Sequence, residues 1–412
     1  MESKRIKILI SAYACEPNLG SEIGVGWHWV LEMSKYFDLW VLTRESNRDS
    51  IEGWFAENPS ENRPTFIYYD LPKKWRFWKK GLRGVRTYYM LWQHLTNKIV
   101  RRTMQQNDIK IYHLLTYGNA LWPASSYGAK QTFIWGPIGV CEVVPKEYSK
   151  HFGLKSRLKE IFQRTLKKSL LFNAGFVSRC KNANLILCKT AKGIECIPSR
   201  YRDKAILFTD VAVEYSNVKH DNTMLNTPKN IINYLAVGSL EGWRGFDVLL
   251  EAFSIAVSNN RDLHLSILGR GSEMDKLKLL VKHLNLEDNV VFHGQVSRGD
   301  YQQHMNNCDV VINPCLREGA VTTSFDSMAF SKPLICIDSK GHTNYFDSTY
   351  AMKIELGTRQ NTINLISEAI LQMQDHELRS KMGRLANESG LKYNWEAKGV
   401  EISILFNDLH DR

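Results

Sequence analysis

The chain has 412 residues, 43% hydrophobic and 24% charged, a globular composition long enough for two full cores. No apolar run reaches the roughly 18 to 20 residues that cross a bilayer, and the eight cysteines form no C-x-x-C pair, so reduced thiols are favoured over a zinc site or disulfide framework. The net charge of +11 is uneven: residues 1–210 hold 34 Lys/Arg against 18 Asp/Glu, leaving 20 against 25 in 211–412, which points to an anionic partner for the first half.

The N-terminal run IKILISAY is short and passes directly into a polar glycine loop, the pattern of a first strand rather than a signal peptide. A helix is expected from about Gly24. Gly20, Gly24 and Gly26 lack the G-x-G-x-x-G order, so there is no dinucleotide fingerprint. Glycine here lets backbone approach a ligand or a neighbouring helix. Glu22 reads equally as a ligand-facing carboxylate and as an ordinary helix-start acid. FDLWVLTRES and TFIYYDLP are the next strands.

Residues 73–102 interleave Lys73, Lys74, Arg76, Lys79, Lys80, Arg83 and Arg86 with Trp75, Phe77, Trp78, Tyr88 and Trp92. Basic residues among aromatic anchors suit an anionic membrane surface; the alternative is a helix with a core aromatic face and a solvated basic one. A second basic stretch, 155–168, sets Leu158, Ile161, Phe162 and Leu166 on one face and strengthens the membrane reading. No nucleic-acid recognition module accompanies these charges, so no nucleic acid partner is expected.

DIKIYHLLTYGNALWP is a strand leading to His113, and a lone histidine at a strand end is usually structural. QTFIWGPIGV is a strand running into a glycine loop that carries Trp135 and Gly139. ANLILCKT reads as the last strand of the first domain, with AILFTDVAVEY leading out towards a polar, turn-rich boundary. Strand and helix then alternate again. NIINYLAVGS ends on Ser239, and Arg244 follows in the loop as a fixed cation suited to a diphosphate. LHLSILGRGSEMDKL and NVVFHGQVSRGDYQQ supply further units, with Val296 in the loop of the second.

DVVINPCLREGAVTTSFDSMAFSKPLICID, residues 309–338, reads as strand, loop, helix and strand. The helix is expected from about Ala320 until Ser331-Lys332-Pro333 ends it. A helix N-terminus beyond a strand's carboxyl end is an anion site. Glu318 and Gly319 lie just before it, Ala320, Val321 and Thr322 at its start, and Asp326 further along.

These motifs together resemble family 4 glycosyltransferases, which are retaining and of the GT-B fold. Glu318, seven residues and Asp326 resemble the E-x7-E signature, with a shorter second acid. SAYACEP-x-x-GSE-x-GVGW and Trp135-Gly136-Pro137-Ile138-Gly139 resemble motifs of one branch. The family's G-R-L…K-G stands here as Ser239 and Arg244, one cation fewer, which weakens phosphate affinity unless Arg270 or Arg317 compensates.

The resemblance implies an α/β GT-B fold, two Rossmann-like domains with parallel sheets facing across a cleft. An N-terminal acceptor-side domain would span 1–215 and a nucleotide-sugar-binding domain 216–392, with 393–412 forming a helix that packs back on the first. It implies transfer of a sugar from a nucleoside diphosphate sugar, UDP favoured, to a glycan or lipid-linked hydroxyl in polysaccharide or lipopolysaccharide biosynthesis. His113, Glu318 and Arg244 would be catalytic. Gly20, Ser239, Arg244, Val296, Glu318, Gly319, Ala320, Val321, Thr322 and Asp326 would bind donor. Glu22, Trp135 and Gly139 would face the acceptor. No cofactor and no metal are implied, the nucleotide sugar being a co-substrate, and the expected location is cytoplasmic, peripheral at the inner face of the cytoplasmic membrane. A catalytically degenerate nucleotide-sugar-binding subunit and a GT-B sugar-nucleotide epimerase remain the alternatives, although no clear carboxylate pair for epimerase chemistry stands in the first domain.

Overall fold

The computed structural model describes residues 5–76, 78, 84–124, 131–139, 142–215, 231–317, 322–339 and 342–411. The chain divides into two compact units. Unit 1 comprises Met1–Cys141, Ser169–Asp210 and Trp395–Arg412; unit 2 comprises Glu142–Lys168 and Val211–Asn394. The helices that bear on function are α1 (Ser21–Ser34), α2 (Val85–Leu95), α3 (Leu154–Lys168), α4 (Phe246–Asn259), α5 (Arg298–Asn307), α6 (Thr322–Ala329) and α7 (Trp395–His410).

Unit 1 is built on a parallel sheet of β1 (Lys7–Ser11), β2 (Asp38–Thr43), β3 (Thr65–Tyr68), β4 (Ile111–Leu114), β5 (Thr132–Ile138), β6 (Leu185–Cys188) and β7 (Ala205–Leu207), in the order β3-β2-β1-β4-β5-β6-β7. Unit 2 repeats the plan with β8 (Ile232–Val237), β9 (Leu263–Leu268), β10 (Val290–Gly294), β11 (Val310–Asn313), β12 (Leu334–Asp338) and β13 (Ala351–Glu355), ordered β10-β9-β8-β11-β12-β13. The central strands are short Ile/Leu/Val runs buried on both faces, as parallel sheets covered by helices require. Strand order reverses between β1 and β4 in one sheet and between β8 and β11 in the other. Loops leaving the carboxyl ends of such a pair diverge and open a crevice, where open α/β sheets bind ligands.

The sequence expectation is corrected in several respects, and residues 211–215, expected in the first domain, belong to unit 2. Ala205–Leu207 is a seventh strand of the first sheet, not an exit segment. Residues 142–168, expected within a first domain of 1–215, belong to unit 2. The cause is a run of apolar residues four apart, Val144, Tyr148 and Phe152, which enters the core of unit 2. The Tyr148 hydroxyl donates to Thr362 Oγ1 at 2.7 Å, and the Arg359 backbone N–H donates to Glu147 at 2.8 Å.

The 73–102 stretch is also corrected. Tyr88, Tyr89 and Trp92 on α2 are buried in the core of unit 1, where Trp92 Nε1 donates to the Tyr69 carbonyl at 2.8 Å. These three aromatics are core residues rather than membrane anchors, and among the described aromatics of the stretch Trp75 is exposed. Phe77, Lys79, Lys80 and Arg83 lie outside the described residues. Cys15, Cys180, Cys188, Cys308, Cys315 and Cys336 are buried thiols, but Cys196 is disulfide-bonded, where the sequence favours reduced thiols throughout. Among the described residues no helix is long and apolar enough to cross a membrane.

Candidate functional site

In unit 2 the crevice residues converge on one indole. Gly242–Arg244 form a single 3-10 turn after β8, ended by Gly245 at φ 70°. A side chain at Gly245 would be strained there, and its Cβ would stand 2.1 Å from the Pro314 carbonyl oxygen. Glycine therefore lets the β8 loop nest against the β11 loop, and Trp243 sits at the junction. The Arg244 guanidinium lies 4.3 Å from the Trp243 ring centroid and the Arg317 guanidinium 4.7 Å. Two cations from two different loops thus share one aromatic platform at the switch point.

Arg317 is held from the far side. Its Nη1 pairs with the buried Glu160 carboxylate at 2.8 Å and also bonds Gln163, both on α3. Burial depresses the Arg317 pKa, while the Glu160 charge opposes that shift. Arg244 folds over Gly238, and its Nε is buried with no hydrogen-bond partner among the described residues. A buried guanidinium donor left without an acceptor is costly unless a ligand supplies one. Ser239, standing where the resemblance expects a cation, is exposed.

Further along the same edge, Asp326 on α6 accepts a 2.6 Å hydrogen bond from the Tyr301 hydroxyl on α5. Burial lifts the Asp326 pKa to about 6, against the Tyr301 hydrogen bond and the nearby Arg298 charge. A carboxylate kept partly buried against its own solvation is a mark of a binding group. Asn313, the last residue of β11, donates to Ser324 Oγ at 2.9 Å and pins α6 to the strand end. Thr322 opens α6, two residues later than the expected Ala320 start, and is half-buried. Val296 is half-buried in the loop after β10, ahead of the Ser297–Asp300 capping box that starts α5. Glu318, Gly319, Ala320 and Val321 lie outside the described residues.

Unit 1 disposes of its predicted residues differently. His113 is fully buried on β4, its Nε2 2.8 Å from the Gly136 carbonyl oxygen. That oxygen only accepts, so the neutral ring carries its proton on Nε2. Trp29 on α1 and Phe406 on α7 flank the imidazole, with ring centroids 5.8 and 5.3 Å away. Burial pushes its pKa down to about 4. The ring is a buried group joining β4 to β5. Trp135 is likewise buried, packed on Phe176 and under the Arg179 guanidinium. Its motif explains itself locally: Gly136 adopts φ 120°, and a Cβ there would lie 2.3 Å from the Leu187 carbonyl oxygen.

Glu22 bridges the two loops of the unit 1 switch point. Its Oε1 accepts from the Tyr117 backbone N–H at 2.6 Å, tying the start of α1 to the loop after β4. Burial raises its pKa, and the Lys189 charge opposes the shift. Gly20 caps α1 and is exposed with open space beside it. Gly139 donates its backbone N–H to the Gly118 carbonyl at 2.6 Å, closing the loop after β5.

Sequence reasoning left Trp243 and Tyr301 out of the site. Trp243 lies between Gly242 and Arg244 in the very loop singled out for its cation, so an aromatic beside a predicted phosphate-binding arginine was the available signal. Tyr301 has no such signal, because only the packing of α5 on α6 brings it to Asp326.

Residues 219–389 match the family model described as Glycosyl transferases group 1. That span falls within the numbering of unit 2. An uncharacterized glycosyltransferase of Haemophilus influenzae is 30% identical over 128 residues, which is 30% of this chain and 35% of that protein. The N-acetylgalactosamine-N,N'-diacetylbacillosaminyl-diphospho-undecaprenol 4-alpha-N-acetylgalactosaminyltransferase of Campylobacter jejuni is 27% identical over 147 residues, 35% of this chain and 38% of that protein. The chain thus spans little more than a third of the length of these two relatives. The Anabaena protein Alr3699/HepE, solved in complex with UDP and glucose, superposes with a TM-score of 0.60 at 13% identity, covering 98% of this chain and all of its own. The chain therefore has the α/β fold of GT-B glycosyltransferases, two domains each built on a parallel sheet.

Proposed function

We propose that the protein is a retaining, family 4 glycosyltransferase that moves a sugar from a nucleoside diphosphate sugar, UDP favoured, to a glycan or lipid-linked hydroxyl. The observation that carries the reading is the pair of guanidinium groups, Arg244 and Arg317, on Trp243 at the switch point of the unit 2 sheet. The family match over the same unit supports it, as does the UDP bound by a neighbour of the same fold. The Campylobacter relative, named for a diphospho-undecaprenol-linked acceptor, supports a lipid-linked acceptor, and a neighbour of the same fold named for lipopolysaccharide biosynthesis supports a place in polysaccharide or lipopolysaccharide assembly.

In the proposed reaction the bond from the anomeric carbon to the β-phosphate oxygen breaks, and a bond to the acceptor oxygen forms on the same face. The departing diphosphate takes up the acceptor's proton. Negative charge grows on that phosphate, so preorganised cations and a helix N-terminus act where the charge develops. Arg244 meets it directly, with its unbonded Nε available, and Arg317 supplies the second positive charge that Ser239 lacks. Thr322 lies at the helix start beside this charge, and Asp326 holds the ribose hydroxyls. Val296 borders the base, and Glu318 orients the sugar. With these groups in place the diphosphate needs no metal ion. The resemblance gave His113 a contact with the transferred sugar and set Trp135 near the acceptor side; their burial supports scaffold roles instead.

Turnover tests the reading. The protein is incubated with UDP-sugars and a polyprenol-linked or glycan acceptor, and free UDP and glycosylated product are both measured. Equal amounts of UDP and product, unchanged by a chelator, are expected, with losses of roughly 10²-fold in Arg244→Ala. Donor binding without product across acceptors would favour the degenerate binding subunit, and UDP-sugar isomerised without acceptor would favour the epimerase.

A further inference from the structure

Helix α3 is built inside out. Its buried residues are polar: Ser156 bonds Glu273, and Glu160 accepts from the Val144 backbone N–H at 3.1 Å as well as holding Arg317. Four of its large apolar residues face water instead, while Leu166 is half-buried. Leu154 is 75% exposed, Leu158 58%, Ile161 49% and Phe162 65%. Their spacing, i, i+4, i+7 and i+8, places them on a single face of the helix. Globular helices arrange these two faces the other way round, and an uncovered apolar row of this kind marks a surface that something else covers.

The charge on the helix says what that partner is. The segment LKSRLKEIFQRTLKK contains six basic residues against the single acid Glu160, a net of +5. Lys155 and Arg157 are exposed next to the apolar row, and Lys159 pairs with Glu241 at 3.2 Å. A second copy meeting this face through a two-fold contact would set +5 against +5. A nucleic acid would leave the leucines and Phe162 in water. A surface that is anionic outside and hydrocarbon beneath satisfies both features.

We propose that α3 docks on an anionic lipid bilayer. It lies in the plane of the interface along about 22 Å of its length. Leu154, Leu158, Ile161 and Phe162 enter the acyl boundary, and Lys155 and Arg157 sit among the headgroup phosphates. Tyr88, Tyr89 and Trp92 of the 73–102 segment do not share this role, since they are in the core. The proposal stands on the geometry of α3 and needs no sugar transfer, so its test reads lipid binding alone.

The test is co-sedimentation of the whole chain with phosphatidylcholine vesicles, with and without phosphatidylglycerol, at low and high salt. The wild type is expected to bind the phosphatidylglycerol vesicles, to bind pure phosphatidylcholine weakly, and to lose binding as salt rises. Leu158→Glu/Phe162→Glu should lower binding by about tenfold or more at an unchanged melting temperature, because both side chains already face water. Lys155→Glu/Arg157→Glu should lower it by about tenfold on anionic vesicles. Absence of wild-type binding to anionic vesicles overturns the proposal, and so does unaltered binding in Leu158→Glu/Phe162→Glu. A dimer broken by that double variant, with no vesicle binding, assigns the face to a second copy and likewise overturns it.

Discussion

Helices α2 and α3 carry the same kind of sequence, basic residues mixed with large apolar ones, and the chain treats them in opposite ways. On α2 the aromatics at 88, 89 and 92 are buried, and Tyr88 and Trp92 each find a hydrogen-bond partner, Asp70 and the Tyr69 carbonyl. On α3 the polar residues at 156 and 160 are buried and the apolar row is outside. Amphipathic spacing fixes that one face is apolar; it does not fix whether that face meets the core, because buried polar partners reverse the choice. On α3 those partners are Glu273, the Val144 amide and Arg317.

The largest effect that would break this contrast is a truncation on each helix. Trp92→Ala should destabilise unit 1 by roughly 3–5 kcal/mol, while Phe162→Ala should change stability by less than about 0.5 kcal/mol. Urea unfolding of the two variants reads the difference, and equal losses would end the contrast. Next, Glu160→Ala should cost about 3 kcal/mol, because Arg317 is left buried without its carboxylate. The same unfolding curves check this.

Titration sharpens the comparison between the two units. His113 is neutral in the folded state, with its pKa pushed down to about 4 from 6.5. Its contribution is therefore complete above pH 6.5 and is lost as pH falls towards 4, on the order of 3 kcal/mol in total. His113→Leu should remove that acid-side slope. Asp326 behaves in the opposite sense: its folded pKa of about 6 lies above the ordinary 3.8, so stability falls as pH rises through that interval. Asp326→Asn should then gain about 2 kcal/mol at pH 7 and weaken nucleotide binding, the trade expected of a binding group held at the expense of stability. Thermal melts against pH measure both slopes, and a loss of stability in Asp326→Asn would contradict a purely functional carboxylate.

The two parallel sheets were legible because their strands are short apolar runs that alternate with helical patterns, and the restart at 231 followed a polar break. The cations at 244 and 317 and the acid at 326 were legible from residue type after a strand. Three things were hidden. His113 and Trp135 carry chemistry-bearing side chains, yet whether a strand-end ring points into the crevice or into the core depends on what packs over it, here Trp29 and Phe406 in one case and Phe176 in the other. The transfer of 142–168 to unit 2 rests on Val144, Tyr148 and Phe152, a pattern too sparse to separate from a helix of unit 1. The pairing of Arg317 with Glu160 joins residues far apart in sequence, a contact that only folding reveals.

The most direct test of the central claim, a nucleotide diphosphate held by Arg244 and Arg317, is the melting temperature of the whole chain against UDP, GDP, ADP and their sugars without added metal. Binding to the folded state raises the melting temperature by mass action. The account predicts a rise with one nucleotide family, reduced in Arg244→Ala and in Arg317→Lys, the latter keeping the charge but losing the planar fork on Trp243. No rise with any nucleotide at millimolar concentration, or an undiminished rise in Arg244→Ala, would contradict it.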